Sequence, residues 1–240
     1  MSFFVSRKLR RLAAELIVSE ETREALSEVE GKYGLSIDPD GPLECVQALI
    51  QAIKRVPPKM VKDCEIKDLG FRDMGPSKEF YPNHGVYCDG KLYLNTQLLD
   101  DPMLDTDPDT GKMLNRFDYT LIHELGHGLD EVLGKRKCKK KGWRGRELSL
   151  RPEWMDLSGW SQKPKKGLKR LIIRDPGSPE VRGEYCYSPD AGFARFYGKR
   201  NPWDDWADAF AYYVGGLKGF LPKNKIEYFD DVLSPYYEGE

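Results

Sequence analysis

Two of the three histidines in this 240-residue chain, His123 and His127, stand four apart in a stretch whose apolar residues recur at helical spacing. Phe117, Leu121, Leu125, Gly128, Leu129 and Val132 form one stripe, and Gly134 is its expected stop. Side chains four apart on a helix lie one above the other, so both imidazoles face the same way and can grip one cation. Zinc accepts neutral imidazole readily, and with three protein ligands it keeps a fourth position for water. Glu124 follows the first histidine, off the ligand row but within reach of that water, where a general base belongs. The plainer reading is two core histidines on an ordinary helix. With only His84 elsewhere, which reads as a surface or hairpin residue, chance spacing explains the His-Glu-x-x-His run poorly.

The rest of the chain reads as packing around this helix. Leu9, Leu12, Ala13, Leu16 and Ile17 lie on one helical stripe within residues 3–30, and Gly31 and Gly34 end that segment. Pro42 opens a second helix with Leu43, Val46, Ile50 and Ile53, stopped by Pro57 and Pro58. From Glu65 the pattern turns β-rich, and Asp89-Gly90 between GVYC and KLYLN is a hairpin signal. The acidic segment that follows reads as a loop. Beyond Lys141 the sequence predicts little until about Ser188, and a final helix is expected from about Asp204 to Gly215.

Charge and cysteines bound the setting. Lys plus Arg number 38 against 39 Asp plus Glu, so the chain has no global pull toward nucleic acid or an anionic membrane. Cys45, Cys64, Cys88, Cys138 and Cys186 are odd in number and widely spaced, which favours a reduced, cytoplasmic protein. Arg7, Lys8, Arg10 and Arg11 interrupt the apolar N-terminal stretch, so neither a secretory signal nor a membrane span is expected there. Signal-less export stays open.

An open zinc site needs a third ligand, and the run NPWDDWADAF supplies Asp204, Asp205 and Asp208. Asp204 and Asp208 share a helical face, while Asp205 is rotated away, so its loss is expected to be nearly silent. At this point the chain resembles the gluzincin class of metallopeptidases, in particular the catalytic domain of anthrax lethal factor and its relatives, the Pro-Pro endopeptidases among them. Their third ligand is a glutamate opening E-x-F-A-E-x-F, and Asp204-Asp205-Trp206-Ala207-Asp208-Ala209-Phe210 follows that pattern. The resemblance makes Asp204 the third ligand and Asp208 a supporting residue that orients a histidine. It assigns Tyr197, seven residues before Asp204, to the reacting carbonyl oxygen, and it sets Asp130 beside the site as in the HExxHxxD run. Aspartate is one methylene shorter than glutamate. The helix must therefore come closer, or Asp205 or Asp208 serves instead.

The resemblance covers residues 85–134 and 193–214 and implies an α+β, zincin-like metallopeptidase fold. That fold has a small mixed sheet, an active-site helix and a C-terminal ligand-bearing helix. A helical segment 1–60 would precede a metallopeptidase domain 61–240. The implied activity is zinc-dependent hydrolysis of a peptide or protein substrate, with GVYCDGKLYLN flanking the substrate as an edge strand. The rival reading is an inactive zincin-like binding or regulatory module. It would use the basic run Lys135 to Lys141 for an anionic partner, although such a run is commonly a solvated loop at a helix C-terminus.

Overall fold

The computed structural model describes residues 20–38, 41–75, 84–88, 90–101, 104–137, 147–174 and 181–238. The stripe expected over residues 9–17 and the end of the basic run, 138–141, lie outside them. The architecture is mixed α+β, and the chain divides into two units. One comprises Met1–Leu104 with Asn115–Leu125, the other Asp105–Leu114 with Gly126–Glu240. No helix among the described residues is long and apolar enough to cross a membrane.

In the first unit, helix α1 (Glu20–Tyr33) runs through Gly31 and ends before Gly34, whose φ of 68° only glycine adopts without strain. One glycine inside a helix costs about 1 kcal/mol against alanine, which a packed helix tolerates. Strand β1 (Ser36–Ile37) precedes α2 (Leu43–Ile53), which buries Val46, Leu49, Ile50 and Ile53 along one face. Pro58 opens the short α3 (Pro58–Asp63), its missing N–H being one a helix start leaves unpaired in any case. Strands β2 (Asp68–Arg72), β3 (Gly85–Cys88) and β4 (Lys91–Asn95) complete a sheet of order β1-β2-β4-β3. The β1/β2 and β2/β4 pairs are parallel, and β3 is antiparallel to β4 with Val86 opposite Tyr93. The expected hairpin is therefore present, with β3 as the outer strand.

Helix α4 (Arg116–Lys137) begins where the Asn115 side chain accepts from Asp118 N at 2.8 Å, and it gives its residues up to Leu125 to this unit. It continues past Gly134, the expected stop, into Lys135, Arg136 and Lys137, cations that the C-terminal end of the helix dipole favours.

The acidic segment expected as a loop contains strand β5 (Leu104–Thr106), which pairs with β6 (Met113–Asn115) just beyond it. In the second unit, α5 (Pro152–Leu157) precedes an antiparallel sheet of order β7-β9-β8, formed by β7 (Trp160–Ser161), β8 (Lys169–Arg174) and β9 (Val181–Tyr187). Helix α6 (Pro202–Gly215) is the helix expected from about Asp204 to Gly215. It is not the last, since α7 (Lys223–Tyr237) follows and buries Phe229, Leu233 and Tyr236. Trp154 of α5, Trp206 and Phe210 of α6 and Phe229 of α7 make an aromatic core. Trp206 stacks on Phe210 at 5.3 Å, and Phe229 sits edge-on to both.

Candidate metal centre

Every residue of α6 except Val214 is buried, and three of them are aspartates. A carboxylate away from water is costly unless a cation or hydrogen-bond donors compensate it, so the partners of Asp204, Asp205 and Asp208 decide what this helix does.

Asp204 lies in the first turn. Asn201 caps that turn, its Oδ1 accepting from Asp204 N at 2.7 Å. The same amide donates through Nδ2 to Asp204 Oδ2 at 2.7 Å. Asp204 Oδ1 stands 3.5 Å from His127 Nε2. Ligands on a tetrahedral zinc at bond lengths of about 2.1 Å sit about 3.4 Å apart, so this pair already has the spacing of two ligands sharing one ion.

His123 belongs to the same continuous helix as His127, one turn earlier, so the helix itself fixes their relation. Among the described residues, His123, His127 and Asp204 form a group that can hold a cation, with one ligand atom from each lying within 4.8 Å of the others. The donor set of two imidazoles and one carboxylate suits an open zinc site. His123 is buried, and its Nδ1 lies 3.4 Å from the Tyr119 hydroxyl. That contact engages Nδ1 and leaves Nε2 as the nitrogen able to face a cation.

Glu124 is buried next to His123 on α4, and the outer strand of the first unit lies against it. A Cβ built on Gly85 would stand 2.9 Å from Glu124 Cγ and 3.1 Å from its Oε1. Only a residue without a side chain lets the β3 backbone come that near. Tyr197 opens the 3-10 turn Tyr197–Arg200 just before α6, half-buried, with the Arg200 guanidinium 4.5 Å from its ring centre. A Cβ on Gly198 would meet Asp205 Cα at 3.1 Å and Asp208 Oδ2 at 3.3 Å, so this turn is seated directly on α6.

The remaining carboxylates divide. Asp205, expected to stand apart from the metal, is fully buried: Lys225 Nζ donates to its Oδ1 at 2.6 Å and Trp160 Nε1 to its Oδ2 at 3.1 Å. Burial pushes its carboxyl above the usual range, against the pull of the Lys225 ammonium. Its removal would strand that ammonium, which is itself 1% exposed. Asp208 is fully buried on the Gly198 side of α6. Asp130 accepts from Ser149 N at 2.8 Å and Ser149 Oγ at 2.6 Å, tying α4 to the turn before α5. Burial raises its carboxyl to about 7, opposed by the Ser149 hydrogen bonds. His84 lies outside the centre, 4.0 Å from Asp101.

Two contributors escaped the sequence reading. Tyr119 was visible in principle, four residues before His123 and hence on the histidine row. Asn201 was legible as a cap but not as the group that aims Asp204. No family model and no curated protein matches the chain.

Proposed function

We propose that this chain is a zinc-dependent endopeptidase of zincin-like build. The convergence of His123, His127 and Asp204 next to Glu124 carries the reading. Those three residues would hold the ion, which when bound polarises the scissile carbonyl and makes water acidic enough to attack near neutral pH. Glu124 takes a proton from the attacking water as the C–O bond forms and delivers it to the amine as the C–N bond breaks. Tyr197 donates its phenolic O–H to the oxyanion that develops between those events. Asn201 holds one oxygen of Asp204 so that the other faces His127, and Tyr119 does the corresponding work for His123. A peptide pairing with the outer edge of β3 would run past Glu124, because Gly85 brings that strand against the side chain. The rival, a metal-holding module without activity, gives Glu124 no task.

The test is zinc content together with digestion of a peptide library by the full chain. Glu124→Gln should keep its zinc and lose cleavage by about 10²- to 10⁴-fold. Tyr197→Phe should keep both zinc and fold and lose about a hundredfold in turnover. A wild-type chain that holds zinc but cleaves nothing would leave the binding module as the answer.

A further inference from the structure

Gly126 lies between the two residues that define the motif's second half, and it marks a very close approach of α4 to α6. A Cβ at position 126 would stand 2.9 Å from Phe210 Cδ1, 3.3 Å from Ala207 Cα and 3.5 Å from Ala207 Cβ. None of these atoms can readily give way. Ala207 Cα is backbone, and the fully buried Phe210 ring is stacked on Trp206 and flanked by Phe229. A methyl group at 126 therefore has to move α6 away from α4. Ala207 is one turn after Asp204 on the same face of α6, and Gly126 is next to His127, so this contact sits beside the 3.5 Å pair of His127 and Asp204.

We infer that Gly126 and Ala207 are positioning residues that set the gap between the two helices to the length of an aspartate ligand. The inference rests on the metal reading above and adds what selects Asp204 over a longer carboxylate. With the helices this close, the one-methylene side chain already brings Oδ1 to ligand distance from His127, and a glutamate would have to fold back. Widening the gap should reverse that preference.

The experiment is a zinc competition titration of the full chain against a chromogenic chelator, with far-UV circular dichroism and apoprotein melting as checks on fold. The wild type should take up one zinc and His123→Ala none. Gly126→Ala should weaken zinc about ten- to hundredfold, the scale on which residues outside the ligand shell act. Asp204→Glu alone should also weaken it. The double variant Gly126→Ala/Asp204→Glu should bind at least tenfold more tightly than the product of the single effects, a rescue that general loosening would not produce. Ala207→Val widens the same gap from the other helix and carries the same expectation, so the test survives if Gly126→Ala does not fold. Wild-type affinity in both widened variants, or single effects that simply multiply, would overturn the gap inference while leaving the zinc site intact. A wild-type chain that takes up no zinc would overturn the metal reading and this inference with it.

Discussion

The two flanks of α6 carry the same functional group one residue apart and put it to opposite uses. On one flank Asp204 meets an asparagine amide and an imidazole, in a group that can hold a cation. On the other, Asp205 is closed off with a lysine ammonium and an indole N–H, and the Lys225 charge also lies 4.8 Å from the Trp154 ring centre. The first flank belongs to a group that can hold a cation, whereas the second is neutralised within the chain. A step of about 100° around the helix separates the carboxylate that faces His127 from the one paired with Lys225. The Asp205–Lys225 pair ties α7 to the helix that carries Asp204.

Substitutions can break this comparison, and the largest effect is expected on the ligand side. Asp204→Ala should release most of the zinc, with an affinity loss above a hundredfold, while the apoprotein melts near the wild-type temperature. Asp208→Ala should keep the metal but weaken it by roughly ten- to a hundredfold, as loss of a supporting carboxylate does. Zinc titrations of the two variants side by side check the order, and a site emptied by Asp208→Ala alone would reassign the ligand.

The anchor flank should respond in a different quantity. Asp205→Ala leaves a buried ammonium without its counter-charge and should cost about 3–5 kcal/mol of folding stability, read from denaturant midpoints of the apoprotein. Adding Lys225→Met should return much of that loss, since the stranded charge is gone. If Asp205→Ala instead leaves stability untouched, the anchor does not anchor.

A buried carboxylate held by Ser149 sharpens the contrast through the pH dependence of stability. The folded protein keeps Asp130 protonated up to about 7, against an ordinary value of 3.8. Its contribution is fully present below 3.8 and is lost as pH rises through that window, because the unfolded chain releases the proton first. Asp130→Asn should flatten the fall in apoprotein stability between about pH 4 and 7 relative to wild type, measured by urea unfolding at several pH values. An identical slope in the variant would mean that Asp130 is ionised when folded.

The gathering of His123, His127 and Asp204 was legible because its signals are local. His123, Glu124 and His127 announce themselves by spacing on a striped helix, and Asp204 by its place in DDWADAF. The hairpin of β3 and β4 was legible for the same reason. The anchor flank was not, since nothing near Asp205 reports that its partner stands 20 residues on in another helix. That helix, α7, went unread although Phe229, Leu233 and Tyr236 recur at helical spacing. It follows Pro222 and contains Pro235, both of which read as breakers, yet Pro222 merely precedes the first turn and Pro235 falls in the last. The sheet of β7, β8 and β9 was hidden in a lysine-rich stretch because strand pairing is set by a distant partner rather than by a local period.

Asn201 carries a consequence for which letters the chain can tolerate. At an ordinary helix start, asparagine, aspartate and serine are close to synonymous, because each offers an oxygen to the first unpaired N–H groups. Here the same side chain must also give a hydrogen to Asp204 Oδ2. Serine has only one short arm for the two tasks, and aspartate would bring a second negative charge to where a donor is required. The amide has an acceptor at one tip and a donor at the other, so a normally degenerate position acquires a single spelling.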